Sequence, residues 1–309
     1  MIRMPNDSFR GPLPPLTEEQ HGLEQDLRTH VQRLAGTIGE RNVFHYAQLV
    51  AAADYIRATL TSSGYEVRRH LYEISGQPCE NVEAEIQGQK RPADIILIGA
   101  HYDSVQGSPG ANDNATGVAA MLALARVFAK VQASRTLRFV AFTNEEPPLF
   151  QSRHMGSRIY AARSRERGEQ IALMLSLETI GCYSDEPGSQ AYPFPFRFFY
   201  PSTANFIAFV GNMDNAPWVK QLLTAFRRHT QFPSEGAALW EWIPGVAWSD
   251  HWSFWKEGYP AVMITDTAPN RYPYYHTGAD TPDKVDFAKM ARVVSGLQRV
   301  IFELAGESP

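Results

Sequence analysis

The strongest constraint on this chain is a series of short, uniformly apolar segments that alternate with helix-like ones. "ADIILIGA", "TLRFVAFT", "QIALMLSLE", "NFIAFVGN" and "PAVMITDT" have strand length and lack the polar alternation of a half-exposed strand. "NATGVAAMLALARVFAKV", "MGSRIYAARSRE", "APWVKQLLTAFRRH" and "VDFAKMARVVSGLQRVIFEL" interleave with them at helical spacing. Strands that are apolar on both sides must be covered on both sides, and helices do this on a mostly parallel sheet. The pattern predicts an α/β fold of three layers, α-β-α, around a twisted and mostly parallel central sheet.

An N-terminal helical arm precedes this pattern. "GPLPPL" is Pro-rich and reads as extended chain over residues 1–16. Thr17 followed by Gln20 has the spacing of a capping box. Leu23, Leu27, Val31 and Leu34 then fall at helical intervals up to about Gly36. A second helix is predicted over "YAQLVAAADYIRATLTSSG", ending at Gly64. Two strand-like runs follow, "YEVRRHLYEI" and "NVEAEIQG". No linker or change of composition divides the rest, so 17–309 reads as a single catalytic domain. Two segments carry no clean period. Residues 183–205 are rich in Pro, Phe and Tyr and read as ordered loop. "EGAALWEWIPGVAWSDHWSFWKEGYP" concentrates tryptophan and reads as loop plus a short helix.

In open parallel sheets, ligands bind beyond the carboxyl ends of the strands. His101 and Asp103 follow "IILIGA", Glu145 and Glu146 follow "FVAFTN", and Glu178 ends "LMLSLE". His276 comes after "VMITDTAPNRYPYY", and the Gly-rich turn "GSPGANDNATG" sets Asp113 before a helix. Convergence at one sheet edge is therefore expected. Imidazoles and carboxylates without sulfur suit zinc held by N and O ligands, with manganese or cobalt as substitutes. Two metals sharing a carboxylate, about 3.5–4 Å apart, could clamp an attacking water and the reacting oxygen of a hydrolytic substrate. Adjacent side chains leaving a strand point to opposite sides. Glu145 and Glu146 therefore divide the work, one as ligand and one as base. His21, His30, His45, His70, His154 and His229 lie on expected helices, arms or polar strand faces and read as structural. His251, preceded by Asp250 in "SDHWSF", reads either as a residue behind the ligands or in the substrate pocket, or as an Asp250-capped helix start.

The bulk properties narrow the partners. The net charge of −4 and the absence of a basic run argue against nucleic acid. No apolar stretch reaches membrane-spanning length. "MIRMPNDSFRGPLPPL" lacks the apolar core of a signal peptide. As written the chain reads as cytoplasmic, or as secreted if its start is a processed one. Cys79 and Cys182 form neither a disulfide framework nor a zinc motif, and a single bridge between them stays open.

Taken together, "GAHYDS", "GANDNATG", "NEEPP", "LSLETIG", "SDHWSF" and "YYHTGADTPDKV" resemble metallopeptidase family twenty-eight, in the family order. This family contains dizinc aminopeptidases, glutamate carboxypeptidase and the glutaminyl cyclases. The resemblance implies two zinc ions bridged by Asp113. His101 and Glu178 would complete one, and Glu146 and His276 the other. Glu145 would be the general base, and Tyr275 would donate to the developing oxyanion. Asp103 would orient His101. The Asp113–Asn114 peptide is expected to be cis. Glu178 departs from the pattern, since secreted aminopeptidases of the family usually have aspartate there.

The activity implied is an aminopeptidase acting on peptides or aminoacyl amides, with Glu178 and Glu145 as candidates to hold the free amine. The aromatic segments 183–205 and 237–255 would wall its side-chain pocket. A carboxypeptidase would need a cationic clamp, for which Arg197 and Arg271 are the candidates. A glutaminyl cyclase is expected to use one zinc with fewer ligands, and an amide deacylase is a further alternative on the same scaffold. Some relatives keep the fold as a non-catalytic binding module after losing ligands, and no ligand position is lost here. Neither a G-x-S-x-G elbow nor an H-E-x-x-H or P-loop motif occurs.

Overall fold

The computed structural model describes residues 4–306; positions 1–3 of the expected arm and 307–309 lie outside the described residues. Residues 4–16 run without regular structure along the body of the molecule. Arg227 donates to the carbonyls of Pro5 and Asn6, and the backbone N–H of Ser234 donates to Ser8 Oγ. Helix α1 (Glu18–Val31) opens with the predicted capping box of Thr17 and Gln20 and widens into a π-type turn, Gln32–Ile38. α2 (Tyr46–Ser62) leads into the hairpin β1 (Val67–Ile74) and β2 (Gln77–Ile86).

The remaining elements alternate: β3 (Arg91–His101), α3 (Thr116–Phe128), β4 (Arg135–Phe142), α4 (Gly156–Glu166), β5 (Gln170–Glu178). Then come β6 (Ile207–Asn212), α5 (Ala216–His229), β7 (Ser234–Leu239), α6 (His251–Lys256), β8 (Ala261–Thr265) and α7 (Phe287–Ala305). The eight strands among the described residues form one sheet in the order β1-β2-β4-β3-β5-β8-β6-β7. Its centre, β4-β3-β5-β8, is parallel throughout. Antiparallel pairing is confined to β1–β2, β2–β4 and β6–β8, so the sheet is mixed around a parallel centre.

The unbroken apolarity of the central strands has a direct structural reading. Successive residues alternate between two cores. Ile96, Ile98, Leu137, Phe139, Leu173 and Leu175 pack with α1, α2, α3, α5 and α7. Ile95, Leu97, Val140, Phe142, Met174 and Met263 pack with Tyr160 of α4 and with Phe254 and Trp255 of α6. Each such side chain, fully buried, contributes about 1.5–3 kcal/mol.

β7 differs from expectation. The stretch "EGAAL" read as loop, yet it belongs to β7 and pairs in parallel with β6 at the sheet edge. Its Gly and Ala carry little strand propensity, and the pairing comes from the neighbouring strand. The two cysteines are free thiols, Cys79 on β2 and Cys182 beyond β5. Among the described residues no helix is long and apolar enough to cross a membrane.

Candidate active site

Four strand ends and one helix entrance deliver acids and imidazoles to one place. His101 is the last residue of β3, and Glu178 is the last of β5. Glu145 and Glu146 leave β4 within three to four residues of its end, through Asn144 at φ 60°. His276 follows β8, itself at φ 57°. Left-handed backbone at non-glycine residues is uncommon and clusters at functional sites. Asp113 lies just before α3, and the Asp113–Asn114 peptide is cis as expected.

His101 Nε2 lies 3.3 Å from Asp113 Oδ1 and 3.2 Å from Glu178 Oε2. His276 Nε2 lies 3.1 Å from Asp113 Oδ2 and 3.3 Å from Glu146 Oε2. The groups therefore fall into two sets that could each hold a metal, His101–Asp113–Glu178 and Asp113–Glu146–His276. Asp113 belongs to both and gives one oxygen to each. His101 Nε2 and Asp113 Oδ1 are buried and have no hydrogen-bond partner. Ligand atoms about 2.0–2.1 Å from a shared tetrahedral centre lie about 3.3 Å from one another. The spacing and the orphaned atoms thus fit a cation of zinc's size. Glu145 belongs to neither set; its Oε2 stands 3.9 Å from His101 Nε2.

The carboxylates are held from behind. Asp103 accepts the backbone N–H groups of Glu145 and Glu146 at 3.1 and 3.0 Å, and its Oδ1 is 3.5 Å from His101 Nδ1. Glu146 Oε1 accepts from Val105 N–H at 3.1 Å. Glu178 Oε2 accepts from Ser249 Oγ at 2.8 Å. That bond aims the longer acid, so an oxygen still reaches His101. Asn114 ties its turn to β5, donating to Leu177 O at 2.8 Å and accepting from Thr179 N–H at 3.0 Å. Gly110, at φ 63°, allows the turn to close; a Cβ there would sit 2.4 Å from Asp113 O.

Two contributors carry no periodic or strand-end signal in the sequence. Asp280 accepts the backbone N–H groups of Asn112 and Asp113 at 2.8 and 3.1 Å, and the Tyr272 hydroxyl at 2.8 Å. Arg41 is fully buried and donates to the carbonyls of Tyr102, Pro109 and Gly110. Burial pulls its guanidinium down to about 10, although Asp103 and Asp280 oppose this. It remains a cation beneath an acidic cluster.

Crowded, buried acids titrate abnormally. Burial, reinforced by Glu178 and Glu146, raises Glu145 well above the ordinary glutamate range. Burial and then Asp113 push Glu146 up to about 7. Burial opposes the charge on His276, but Asp113 and Glu146 outweigh it and raise the imidazole to about 10. Burial, followed by the surrounding acids, raises the Tyr275 phenol far above its usual value, so it stays protonated. Its ring stacks on His276 with centroids 3.9 Å apart.

Asp250 and His251 lie at the start of α6 and are both fully buried. Burial raises Asp250 to about 7, with His101 and Glu178 among the charges it senses. His251 contacts Val246 O through Nε2 at 2.8 Å and sits edge-on to Trp255. Burial lowers it to about 4, and it lies outside the cavity lining. Several of the other histidines have partners remote from this place, including His30 with Tyr55, His70 with Glu83 and His229 with Glu303.

A cavity opens beside Glu178 and Tyr275 on the β6–β7 side. Tyr192, Phe196 and Tyr200 from the first aromatic segment and Ile243 and Trp248 from the second line it. Trp240 and Trp242 stack on each other and face solvent instead, 58% and 77% exposed. No Lys or Arg lines the cavity among the described residues; Glu178 and Glu235 are its charged groups. Arg271, a candidate carboxylate clamp, donates to Gln190 Oε1 and to the carbonyls of Cys182, Ala204 and Phe206. Arg197 is exposed and lies over Phe198.

Comparison with known proteins identifies the fold and the family. Uncharacterized protein YfbL of Escherichia coli (strain K12) is 37% identical over 292 residues, covering 92% of this chain and 89% of that protein. A zinc aminopeptidase from Bacillus subtilis shares the fold at a TM-score of 0.74 and 16% identity, covering 91% of this chain and 95% of its own. A Bacteroides thetaiotaomicron glutaminyl cyclase does so at 0.70 and 17%, covering 94% and 99%. Likeness at that identity speaks for fold alone. The model of peptidase family M28 matches residues 81–301, a span that holds every acid and imidazole of the two sets, and this chain belongs to that family.

Proposed function

We propose that this protein is a zinc-dependent aminopeptidase that removes N-terminal residues from peptides. The observation that carries the reading is the charge of the cavity. It has carboxylates and no cation, so it suits a substrate's free amine and not a carboxylate. A carboxypeptidase lacks its clamp here, because neither Arg271 nor Arg197 lines the cavity. Two complete ligand sets argue against the reduced site expected of a glutaminyl cyclase. The catalytic unit is taken as residues 17–309, with 1–16 as its arm.

In this reading two zinc ions would be held, one by His101 and Glu178, the other by Glu146 and His276, with Asp113 common to both sets. When bound, zinc supplies Lewis acidity and a nucleophile at neutral pH. The chain's residues do the rest. Glu145, free of both sets, takes the proton of the attacking water and passes it to the leaving amine. Its Oε2 stands 3.9 Å from His101 Nε2, beside the first set without belonging to it. The Tyr275 phenol, protonated and fixed against His276, donates to the developing oxyanion. Glu178 lines the cavity and holds the substrate amine at the end next to His101. Asp103 fixes Glu145 and Glu146 through their backbones.

The test combines metal analysis with a panel of aminoacyl and N-blocked amides, with and without chelator. Two zinc ions per chain and chelator-sensitive cleavage of free-amine substrates are expected. Activity restricted to N-blocked amides, or cyclisation of N-terminal glutamine without hydrolysis, would overturn the aminopeptidase assignment. Glu145→Ala is expected to keep its metal and lose about 10²–10⁴-fold in kcat. A variant with near-normal kcat would remove Glu145 from the base role.

A further inference from the structure

The floor of the cavity is one row of the sheet. Glu178 of β5 pairs with Thr265 of β8, Thr265 with Ala208 of β6, and Ala208 with Glu235 of β7. Residues in register on neighbouring strands share a face, and all of these line the cavity. Strands lie about 4.7–4.9 Å apart, so three steps separate the two glutamate α-carbons by about 14–15 Å. The row therefore has an acid at each end and small side chains between. Tyr192, Phe196 and Tyr200 form walls above it. In the next row, Ala237, Val210 and Met263 are apolar. An acid at the far end of an otherwise apolar and aromatic pocket is costly unless something answers it.

Its own neighbours answer it only in part. Arg227 Nη2 approaches Glu235 Oε2 at 4.0 Å, beyond hydrogen-bond distance. That guanidinium is bound to the carbonyls of Pro5, Asn6 and Ser234 and to Ser234 Oγ. Ser8 is within hydrogen-bond reach and Arg10 contributes at longer range. Burial outweighs all three and leaves the carboxyl above its ordinary range.

We propose that Glu235 makes this pocket selective for a cationic N-terminal side chain, arginine or lysine. This rests on the aminopeptidase reading and names its substrate class. With the substrate amine held at Glu178, the side chain lies along the Thr265–Ala208 row. An arginine or lysine side chain reaches about 6–7 Å from its α-carbon. With the Cα–N bond of about 1.5 Å and two charge-assisted hydrogen bonds of about 2.8 Å, it spans about 13–14 Å between carboxylates, comparable to the spacing of the two glutamates along the row. The aromatic walls stack against its stem or its guanidinium plane.

The test compares L-arginine p-nitroanilide with the p-nitroanilide of L-citrulline, which has nearly the same shape and no charge. Wild type is expected to favour arginine in kcat/KM by about 10–100-fold, as for a charge-assisted hydrogen bond. Glu235→Gln should bring that ratio to about 1, mainly through KM, and Glu235→Asp should keep part of it. Calorimetric titration of L-argininamide against L-citrullinamide gives a readout that needs no turnover. A wild-type preference for citrulline, or a preference that survives Glu235→Gln in a folded variant, overturns the proposal. If no free-amine anilide is cleaved while argininamide still binds through Glu235, the aminopeptidase reading fails and the cation site stands.

Discussion

Two aspartates solve the same problem at two places around the candidate metal centre. Each uses both carboxylate oxygens to hold two consecutive backbone N–H groups, Asp103 those of Glu145 and Glu146, Asp280 those of Asn112 and Asp113. Bonds from N–H groups to an ionised carboxylate are about twice as strong as neutral ones, and here they fix the backbone that carries the ligands. Asp280 reaches Asp113 across 167 positions of sequence. Replacing it by asparagine leaves one oxygen and a donor facing two N–H groups. Asp280→Asn is therefore expected to weaken zinc binding about 10–100-fold, the usual cost of losing an outer-shell partner. Competition against a chromophoric chelator measures this; unchanged affinity would mean that Arg41 and the glycine turn hold Asp113 unaided. Asp103 is legible in the sequence because it leaves the same strand as His101. Asp280 sits inside a recognisable motif, but nothing in its spacing says what it holds.

At the scale of elements, β1, β2, β4 and α4 are joined by a buried charge network as well as by apolar contact. Glu83 of β2 accepts from Tyr160 Oη at 2.6 Å and from Arg68 at 3.1 Å, and lies 2.9 Å from His70 Nε2. Arg138 of β4 bridges to Glu85 and Glu169. Burial alone would raise Glu83, but His70, Arg138 and Tyr160 overcome it and hold the carboxyl at about 2. Its folded value thus lies below the unfolded value of about 4.3. The contribution to stability is complete above the unfolded value and is lost as pH falls towards 2. Its size is on the order of 3 kcal/mol. Urea titrations between pH 2 and pH 6 should show Glu83→Gln destabilised by about 3–5 kcal/mol at pH 6, the cost of breaking a buried pair. That gap should close near pH 2; a constant gap would show that packing, not charge, is what the substitution removes. The strands of this network were legible from their length and composition, whereas β7 was not. Its six residues pair only because β6 offers an edge.

The whole molecule concentrates its candidate ligands at one sheet edge, drawn from segments spread over residues 101–276. A metal bound there links β3, β5, the turn before α3 and the segments beyond β4 and β8, so its binding energy is folding energy. Zinc at about a hundredfold excess over its Kd should stabilise the protein by about 2.7 kcal/mol and raise Tm by about 4 °C for each site filled. Scanning calorimetry with chelator and then with restored zinc measures it; an unmoved Tm would show that the site is not loaded in the folded state. The sequence by itself determined the layered fold, because strands apolar on both sides have no other stable environment. It also determined which chemistry gathers at the strand ends, since a parallel sheet presents those ends together. The motifs already implied which acids go with which imidazole and set Glu145 apart; only the tertiary structure decided that Asp280 and Arg41 brace the turn carrying Asp113, and that Glu235 lies in the same row as Glu178. Those outcomes depend on register between strands far apart in the chain, and register is set by packing across the sheet, which no local pattern encodes.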